Sequence, residues 1–412
     1  MSPRALLPAL VLSLFAAHLH AEDADGFTPL FNGRDMSGWV RVNGAEDTFT
    51  ARDGMIIDTG LPIGVIRSER MYENFILEFD WRHMKSGGNS GCFAWSDGLP
   101  HVGGPFPRGI EVQVLDPGFA ATHKGENDWF TCNGDLFPVQ GATMTPFGRI
   151  SKTGARSFPT EDRTKPSPEW NHYHLVADHG ELRLSVNGKE VTVGKDCVPR
   201  KGYLSLEAEG SEAHFKNLRI KELPSSNTSP EQTANGYEGF KPLFSGKDLG
   251  GWKVNGAVSE VWSARGSHVI SKAGVKGDSL SLWSEKNYRD FVLCVDWRLT
   301  KKPEPTATEA GGSAITLRGD SNSQIIIGNP DTGSGGPATP LAAIPPKVKA
   351  DAPVGKWNRF FIELKGDKVK VTLNDQVVID GVQLHDIPAE GPIGLRYCGD
   401  EVEFANVFIR EM

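Results

Sequence analysis

Two side chains that could do chemistry, Glu111 and Gln113, stand two residues apart in the stretch RGIEVQVLD, residues 108–116. The stretch alternates apolar and polar side chains, and this alternation predicts a half-buried β-strand. Val112 and Val114 would then face a core, while Glu111 and Gln113 share the opposite face. A carboxyl group can take or give a proton and an amide can hold a hydroxyl group, so this face is a candidate reaction surface.

A second strand with the same pattern, FILEFDWR at residues 75–82, supplies more polar groups. Its apolar residues would face the core, and its opposite face carries Glu78, Asp80 and Arg82. If this strand and the strand of Glu111 lie in one sheet, one surface presents three acids, a guanidinium group and an amide. Such a surface suits a polyhydroxylated ligand such as a carbohydrate. The alternative is a solvated sheet face whose charges only keep the protein soluble.

The strand of Glu111 leads into an irregular segment of 35 residues, 115–149, with glycine and proline throughout. Long irregular segments in a compact domain are usually functional loops or disordered ones, and the aromatic residues here favour order. Trp129 offers a flat face to a sugar ring, and Asp135 offers a polar contact. His123 and Lys124 could carry a proton or stabilise an oxyanion, although either could equally be an ordinary exposed loop residue.

The elements that must position these residues occur twice in the chain. GFTPLFNGRDMSGW begins at Gly26 and GFKPLFSGKDLGGW begins at Gly239, and later matches follow in the same order. The offset between the copies falls from 216 at the DWR strands to 187 at the Trp-Asn pairs, so the second copy is 29 residues shorter. The loss falls in the region that holds Glu111 and the long loop. This period far exceeds that of stacked repeats, which indicates a tandem domain duplication.

The duplication predicts a first domain at 22–223, a polar linker at 224–236 and a second domain at 237–412. Within each copy the strands are short and closely separated by turns, such as His179-Gly180 and Asn187-Gly188. No long stretch has helical periodicity. The pattern predicts an all-β fold of two tandem antiparallel β-sandwich domains.

The first residues predict the compartment. Residues 1–21 read as a secretory signal peptide, with Arg4 before a short apolar stretch and a cleavage site after Ala21. The alternative, a membrane anchor, needs about 20 consecutive apolar residues. We therefore expect an exported protein, periplasmic or extracellular, with no membrane span. A net charge of −8 without a basic cluster in the sequence argues against nucleic acid as a partner.

Cysteine and histidine residues give no strong sign of a metal site. Of five cysteines, Cys92 could pair with Cys132 and Cys294 with Cys398, which leaves one over. They are too scattered for a zinc site, whose thiolates usually come in close pairs. The His-x-His pair at 172–174 could in principle bind a metal, but the second copy has arginine and phenylalanine there, which favours a structural role.

Five short motifs occur in the order that a known family uses. They are GFTPLFNGRDMSGW, the Asn89-Ser90-Gly91 motif, GIEVQVLD, EWN and VNGKEV. Together they resemble the 3-keto-disaccharide hydrolase family, and the resemblance covers nearly the whole chain after the signal peptide. It implies a concanavalin A-like (lectin/glucanase, jelly-roll) sandwich for each copy.

The two copies differ in how well they keep these motifs. The second copy has Gln324 in place of Glu111 and an isoleucine in place of Gln113, and its long loop is reduced. The first copy departs from the family at Trp95, where an arginine is usual, and Arg318 holds that place in the second copy. We therefore predict activity in the first domain and a binding or structural role for the second.

The resemblance implies cleavage of glycosides that carry a ketone at C3. A base removes the acidified C2 proton, the enolate expels the C1 substituent, and water adds to the unsaturated sugar. The residues implied as catalytic are Glu111 as the first candidate for the base, Asp80 as the second, and His123. Those implied as substrate-binding or oxyanion-stabilising are Gln113, Arg82, Asn89, Lys124, Asp135 and Trp129. No cofactor is certain; a divalent cation could replace the cationic side chains, although the sequence has no distinct ligand motif.

Two alternatives stay open at this point. A retaining glycosidase on the same fold needs two carboxyl groups about 5–5.5 Å apart, and the strand of Glu111 supplies only one acid. A neighbouring strand could supply the second through Asp80. Both domains could also be lectin-like modules that bind carbohydrate without reaction, because a fold does not determine a function.

Overall fold

In a computed structural model, the residues that the structure describes are 25–122, 133–275, 280–301, 313–329, 331–338, 343–397, 399 and 401–412. They form two successive β-sandwiches, each built from two antiparallel sheets. The fold is therefore all-β with two tandem concanavalin A-like jelly-roll domains, as predicted. The predicted signal peptide lies outside the described residues, and within them no helix is long and apolar enough to cross a membrane.

The first domain consists of short strands and one short helix. In chain order they are β1 (Thr28–Pro29), β2 (Trp39–Arg41), β3 (Phe49–Arg52), β4 (Met55–Asp58), β5 (Gly64–Ser68), β6 (Phe75–His83), β7 (Asn89–Ser96), β8 (Gly109–Leu115), α1 (Gly118–Thr122), β9 (Leu136–Val139), β10 (Thr143–Phe147), β11 (Arg149–Ile150), β12 (Ser157–Phe158), β13 (Asn171–Asp178), β14 (Glu181–Val186), β15 (Lys189–Val198), β16 (Tyr203–Ala208) and β17 (Ala213–Glu222).

These strands form two sheets with the core between them. The back sheet has the order β10-β15-β14-β13-β6-β17-β4-β3, with β1 beside β17, and the front sheet has the order β11-β12-β9-β8-β7-β16-β5-β2. The predicted inward residues lie in the core, namely Leu77, Phe79, Trp81, Val112 and Val114. Burial of each such side chain stabilises the fold by about 1.5–3 kcal/mol. The alternation therefore predicted correctly which face of each strand is buried.

The prediction that the strands of Asp80 and Glu111 share one sheet is wrong. Asp80 lies on β6 in the back sheet and Glu111 lies on β8 in the front sheet. Their polar faces point away from the core in opposite directions. Alternation specifies the buried face of a strand but not the sheet that contains it, and in a sandwich both sheets show the same pattern.

The second domain repeats the arrangement with fewer residues. Its elements are β18 (Lys241–Pro242), β19 (Trp252–Lys253), α2 (Gly256–Val261), β20 (Trp262–Arg265), β21 (His268–Ser271), β22 (Leu282–Tyr288), β23 (Phe291–Leu299), β24 (Ala314–Thr316), β25 (Gln324–Ile326), β26 (Pro337–Ala338), β27 (Asn358–Lys365), β28 (Lys368–Leu373), β29 (Gln376–Gln383), β30 (Gly391–Arg396) and β31 (Val402–Glu411). One sheet has the order β20-β21-β31-β23-β27-β28-β29, with β18 beside β31, and the other has the order β19-β22-β30-β24-β25-β26.

The predicted hairpin turns are present in the first domain. His179 and Gly180 have φ of 50° and 80°, and Asn187 and Gly188 have φ of 48° and 86°. Two successive residues with positive φ are what a type I′ turn requires, and glycine and asparagine adopt this conformation most readily. The turns join β13 to β14 and β14 to β15.

The two domains pack against each other through an apolar cluster. Val42, Val65, Phe93 and Leu99 of the first domain and Phe240, Val292, Cys294 and Phe408 of the second are its buried members. Cys92, Cys197 and Cys294 are buried free thiols, so the suggested pairings of Cys92 and Cys294 are wrong. Cys92 faces the core of its own domain and Cys294 faces the other domain. Both suggested partners, Cys132 and Cys398, lie outside the described residues.

Candidate functional site

Glu111 and Gln113 lie on the outer face of the front sheet, as predicted. The strand register places Glu111 between Phe93 of β7 and Phe137 of β9, and places Gln113 opposite Gly91 of β7. Glu111 is only 7% exposed. The face around it is therefore a buried polar surface, which argues against the alternative of a solvated face whose charges only confer solubility.

A second carboxyl group meets Glu111 from β16, the strand on the other side of β7. On β16, Leu206 pairs with Cys92, which brings Glu207 beside Gly91 on the outer face. A Cβ atom on Gly91 would lie 2.6 Å from Glu207 Oε2 and 3.0 Å from Glu111 Oε1. These two oxygens are therefore no more than 5.6 Å apart, the sum of those distances. The glycine leaves the space in which the two carboxyl groups converge.

Glu209 completes what we call the acidic cluster, formed by Glu111, Glu207 and Glu209. Burial, followed by the charge of Glu209, raises the pKa of Glu111 to about 8. Burial and the charge of Glu111 raise the pKa of Glu207 well above its ordinary value, and burial raises that of Glu209. Two charges no more than 5.6 Å apart repel each other by at least about 3 kcal/mol at an effective dielectric constant of about 20. The cluster therefore retains protons near neutral pH and can both accept and donate them.

The Asn-Ser-Gly motif holds the cluster in place. Gln113 Nε2 donates hydrogen bonds to Asn89 Oδ1 at 2.8 Å and to the carbonyl oxygen of Ser90 at 3.1 Å. Asn89 Nδ2 donates to a carboxylate oxygen of Glu209. The Ser90 hydroxyl donates to the carbonyl oxygen of Glu207 at 2.6 Å. The structure thus brings together Glu111, Gln113 and Asn89, three of the predicted site residues.

Asp135 and Arg156 border the cluster. Asp135 is almost fully buried, and its Oδ2 lies 3.7 Å from Arg156 Nη1. The Arg156 guanidinium lies 3.5 Å from the centroid of the Phe137 ring, directly beside Glu111 in the sheet. Its positive charge opposes the rise in the pKa of Glu111. Asp135 therefore lies beside the acidic cluster while its role in binding stays a prediction, and Arg156 is a cation that sequence reasoning missed.

The structure places Asp80 and Arg82 away from this site, on the outer face of the back sheet. Asp80 Oδ1 accepts a hydrogen bond from His172 Nδ1 at 2.8 Å, and its Oδ2 accepts one from Asn217 Nδ2 at 2.6 Å. Arg82 bonds to His214 and stacks on Trp170. The two residues therefore do not join Glu111, which corrects their predicted places in one site.

Three predicted residues, His123, Lys124 and Trp129, lie outside the described residues, so their roles stay predictions. Within the part of the chain that is described, no group of three or more His, Cys, Asp or Glu side chains is arranged to hold a metal ion. The His-x-His pair does not form such a group, because His172 and His174 each pair with a separate carboxylate.

Position 95 does not affect the site. Trp95 lies in the core of the first domain, where its ring meets Phe75 edge-on and its Nε1 donates to the carbonyl oxygen of Glu73. Arg318, the equivalent residue of the second domain, is buried and donates to three backbone carbonyl groups. Both residues support the sandwich, so the departure from the family's arginine leaves the face of Glu111 unchanged.

The second domain lacks the acidic cluster. The register of β30 with β24 places Arg396 beside Ala314, where the first domain has Glu207 beside Gly91. Arg396 Nη1 donates a 2.7 Å hydrogen bond to Oε1 of Gln324, the residue in the place of Glu111. Where the first domain has the two acids Glu111 and Glu207, the second domain has a neutral amide hydrogen-bonded to an arginine. The second copy therefore keeps the framework of the sandwich and has Gln324 and Arg396 in the places of Glu111 and Glu207.

Comparison with known proteins identifies the relatives of both halves. The family model described as "3-keto-alpha-glucoside-1,2-lyase-like domain" matches residues 26–221 and 239–410. A curated protein of Bacteroides thetaiotaomicron named 3-keto-disaccharide hydrolase is 24% identical over 233 residues, which are 49% of this chain and 80% of that protein.

Two solved structures are also similar to parts of this chain. A candidate glycosyl hydrolase of Parabacteroides distasonis is 24% identical, with a TM-score of 0.36 over 49% of this chain and 95% of that one. A carbohydrate-binding module of Bacillus subtilis is 19% identical, with a TM-score of 0.30 over 45% of this chain and 97% of that one. Because the family model covers most of the sequence in two segments, this chain belongs to the 3-keto-alpha-glucoside-1,2-lyase-like family and carries two tandem copies of its domain.

Proposed function

We propose that the first domain cleaves 3-keto-glycosides, including 3-keto-disaccharides, at the acidic cluster. The observation that carries the proposal is the meeting of Glu111 and Glu207 over Gly91, with the pKa of Glu111 raised to about 8. A carboxylate with a high pKa is a stronger base than an ordinary one, and abstraction of a C2 proton beside a ketone needs such a base. The family and the name of the Bacteroides relative support the same substrate class.

The proposed reaction has two halves. Ionised Glu111 takes the C2 proton, and the electron pair moves into an enolate whose oxygen is the former C3 carbonyl. The enolate reforms the ketone and breaks the bond from C1 to the leaving oxygen, and protonated Glu207 gives that oxygen its proton. Water then adds to C1 of the unsaturated sugar while a proton returns to C2. The net change is hydrolysis of the glycosidic bond.

Charge and hydrogen bonding would assist each half. Arg156 lies beside Glu111 with its guanidinium on the Phe137 ring, where it can stabilise the enolate oxygen. Gln113 and Asn89 line the same face and are placed to hold sugar hydroxyl groups. We retain His123, Lys124 and Trp129 as proposed loop contributors. A divalent cation at the enolate oxygen remains a proposal, and assays with and without a chelator test it.

The second domain borders the reaction site. Phe93 lies directly opposite Glu111, and Val65 lies opposite Glu207. Both belong to the apolar cluster that joins the domains, so the second domain abuts one side of the face. We propose that it limits this side to short glycosides and does not react. We also propose export to the periplasm or beyond, from the signal-like residues 1–21.

An ordinary retaining glycosidase is the second candidate, favoured by one observation. The oxygens of Glu111 and Glu207 lie no more than 5.6 Å apart, close to the separation such enzymes use. The raised pKa of Glu111 does not decide between the two reactions, because each needs Glu111 ionised, and at pH 7 a carboxyl group with a pKa of about 8 is ionised in about one molecule in ten. The family and the name of the Bacteroides relative favour the 3-keto substrate.

The Glu111→Gln variant tests the proposal, because glutamine preserves size and hydrogen bonding and removes the base. We expect kcat on a 3-keto-disaccharide to fall by about 10²- to 10⁴-fold, with little change in affinity for the sugar. The exposed Glu190→Gln variant is the matched control and should keep full activity. Activity of the wild type on the unmodified disaccharide would support the retaining glycosidase. Sugar binding without turnover on either substrate would support a lectin.

A further inference from the structure

A hairpin of the first domain is bound by side chains of the second domain. Residues 100–107 form this hairpin, closed by a bridge between Pro100 and Pro107 and by a hydrogen bond from His101 N to Phe106 O at 2.8 Å. Its tip, residues 101–104, is a turn with a hydrogen bond from Gly104 N to His101 O. The tip lies on the outer face of the sheet that contains β23, β27 and β31.

Three polar side chains of the second domain hold the hairpin backbone. Arg359 Nη2 donates to Pro100 O at 2.8 Å, and Asp296 Oδ2 accepts from Gly103 N at 2.8 Å. Asn406 Nδ2 donates to His101 O at 2.9 Å and to Gly104 O at 3.0 Å. Arg359 and Asp296 also form a buried ion pair at 2.6 Å. We call Asp296, Arg359 and Asn406, together with Trp357, the grip. Its polar side chains contact only backbone atoms of the turn, so the charge of the turn's own side chains plays no part in these contacts.

A tryptophan makes the grip selective for glycine. Gly103 has φ of 71°, and a Cβ on it would collide with the ring of Trp357. The Arg298 guanidinium lies 4.7 Å from the centroid of the same ring. A turn with any other residue at this position would be strained and pushed off the ring.

The first domain carries the same set of residues on the outer face of its back sheet. The repeat places Asp80, Asn217, Trp170 and Arg82 where the second domain has Asp296, Asn406, Trp357 and Arg298, and places His172 where it has Arg359.

The geometry of the two sets also agrees. Asn217 Nδ2 donates to Asp80 at 2.6 Å, as Asn406 donates to Asp296 at 2.7 Å. Both asparagines have left-handed backbone conformations, with φ of 55° and 48°. The Arg82 guanidinium lies 4.5 Å from the centroid of the Trp170 ring. The grip is therefore assembled in the first domain, where Lys216 Nζ also lies 4.0 Å from the centroid of the Trp170 ring and would have to move for a turn to pack there. No hairpin among the described residues is bound to it.

A hollow lies beside each grip, and in the second domain a segment of the first domain other than the 100–107 hairpin closes it. In the first domain it is a cavity of about 470 Å³, lined among others by Phe31, Asn32, Gly33, Gly54 and Asn217. In the second domain the equivalent cavity measures about 10 Å³ and is lined by Phe244, Ser245, Gly246, Ser267 and Asn406. Asn43, Gly44 and Ile63 of the first domain close it. Among the described residues, no segment closes the large cavity in the way that Asn43, Gly44 and Ile63 close the small one.

We infer that the outer face of the back sheet is a docking site for a partner protein that presents a glycine-containing β-hairpin tip. The occupant of the equivalent site is such a tip, and its recognition is by backbone groups and a flat tryptophan ring. The charged side chains on this face are already paired with each other, since Glu78 pairs with both Arg219 and His174. The face therefore suits an uncharged turn.

We assign the partner to a different protein on the state of the 100–107 hairpin and of its counterpart in the second domain. The 100–107 hairpin of a second copy is already held by its own second domain. The second domain offers no equivalent hairpin, because β24 and β25 are joined by a short turn closed by a hydrogen bond from Leu317 N to Ser323 O.

The test uses a cyclised peptide with the sequence of residues 99–108, LPHVGGPFPR, titrated calorimetrically into the full chain. We expect saturable binding that weakens at least tenfold in Asn217→Gly, which loses the side chain and tolerates the positive φ. Asn227→Gly is the matched control, because Asn227 is exposed and has φ of 56°; its affinity should equal that of the wild type. A peptide with alanine at the position of Gly103 should also bind at least tenfold more weakly.

Four outcomes overturn the inference, three with the peptide and one with an oligosaccharide. One is the absence of saturable binding at millimolar peptide with folded protein. Another is equal affinity of the glycine and alanine peptides. The third is unchanged affinity in Asn217→Gly, which would show that the peptide displaces the hairpin from the second domain or binds elsewhere. Saturation of the same face by a soluble oligosaccharide, with the peptide excluded, would assign it to carbohydrate and contradict the inference.

Discussion

Replacing Gly91 by alanine should disable the first domain through a single added methyl group. The new Cβ would lie 2.6 Å from Glu207 Oε2 and 3.0 Å from Glu111 Oε1. Glu207 is 1% exposed and Glu111 is 7% exposed, so neither carboxyl group can move into solvent to make room. Overpacking of this kind typically destabilises a fold by about 1–3 kcal/mol. We expect a loss of unfolding free energy in that range, measured by urea denaturation.

The effect on activity should exceed the effect on stability. A displacement of about 1 Å at a catalytic group can lower the rate by about 100-fold, so kcat/KM on a 3-keto-disaccharide should fall at least that far in Gly91→Ala. The matched control is Gly256→Ala, because a Cβ at Gly256, the first residue of α2, meets no atom within 4 Å. This control should keep full activity. A Gly91→Ala protein that folds normally and retains kcat/KM within twofold would refute the placement of Glu111 and Glu207.

Three further predictions concern charge. The value of kcat/KM should rise tenfold per pH unit below about pH 8, because ionised Glu111 is the base. Arg156→Met should shift this rise to higher pH, because the charge of Arg156 lowers the pKa of Glu111, whereas the exposed Arg183→Met should not shift it. A flat profile between pH 6 and 8 would count against Glu111 as the base. The free energy of unfolding should fall as pH rises from about 4.5 to about 8, since folded Glu111 keeps a proton that the unfolded chain has released. In equilibrium denaturation across this range, the unfolding free energy of Glu111→Gln should depend less on pH than that of the wild type. The same pH dependence in both proteins would contradict the raised pKa. Asp296→Asn should lower the free energy of unfolding by about 3–5 kcal/mol, because it leaves the buried charge of Arg359 without its partner; a loss below about 1 kcal/mol would show that the pair does not hold the domains together.

The sequence predicted the faces of strands better than their neighbours. The alternation around Glu111 correctly separated Val112 and Val114 from the polar face, because the two-residue period of a strand is a local property. The same reasoning placed Asp80 beside Glu111, which is wrong because sheet membership depends on pairings between distant segments. The internal repeat was the more informative signal, since it predicted that Gln324 replaces Glu111, and β25 lies where the repeat requires it.

Glu207 and Arg156 were missed for different physical reasons. The segment YLSLEAEG alternates like any half-buried strand, and only the fold shows that its outer face is covered. A comparison of the two copies could have found Glu207, because Arg396 reverses its charge. Arg156 reaches the site from a segment 45 residues beyond Glu111, through contact with the Phe137 ring, and no local pattern encodes such a contact.

The central claim, that Glu111 takes the C2 proton of a 3-keto-glycoside, is tested most directly by running the reaction in deuterium oxide and following the sugar product by NMR. The account predicts one deuterium atom at C2 at a rate far above the enzyme-free exchange, and loss of this incorporation in Glu111→Gln with substrate still bound. Cleavage by the wild type with hydrogen retained at C2, or equal incorporation in the variant, would contradict it.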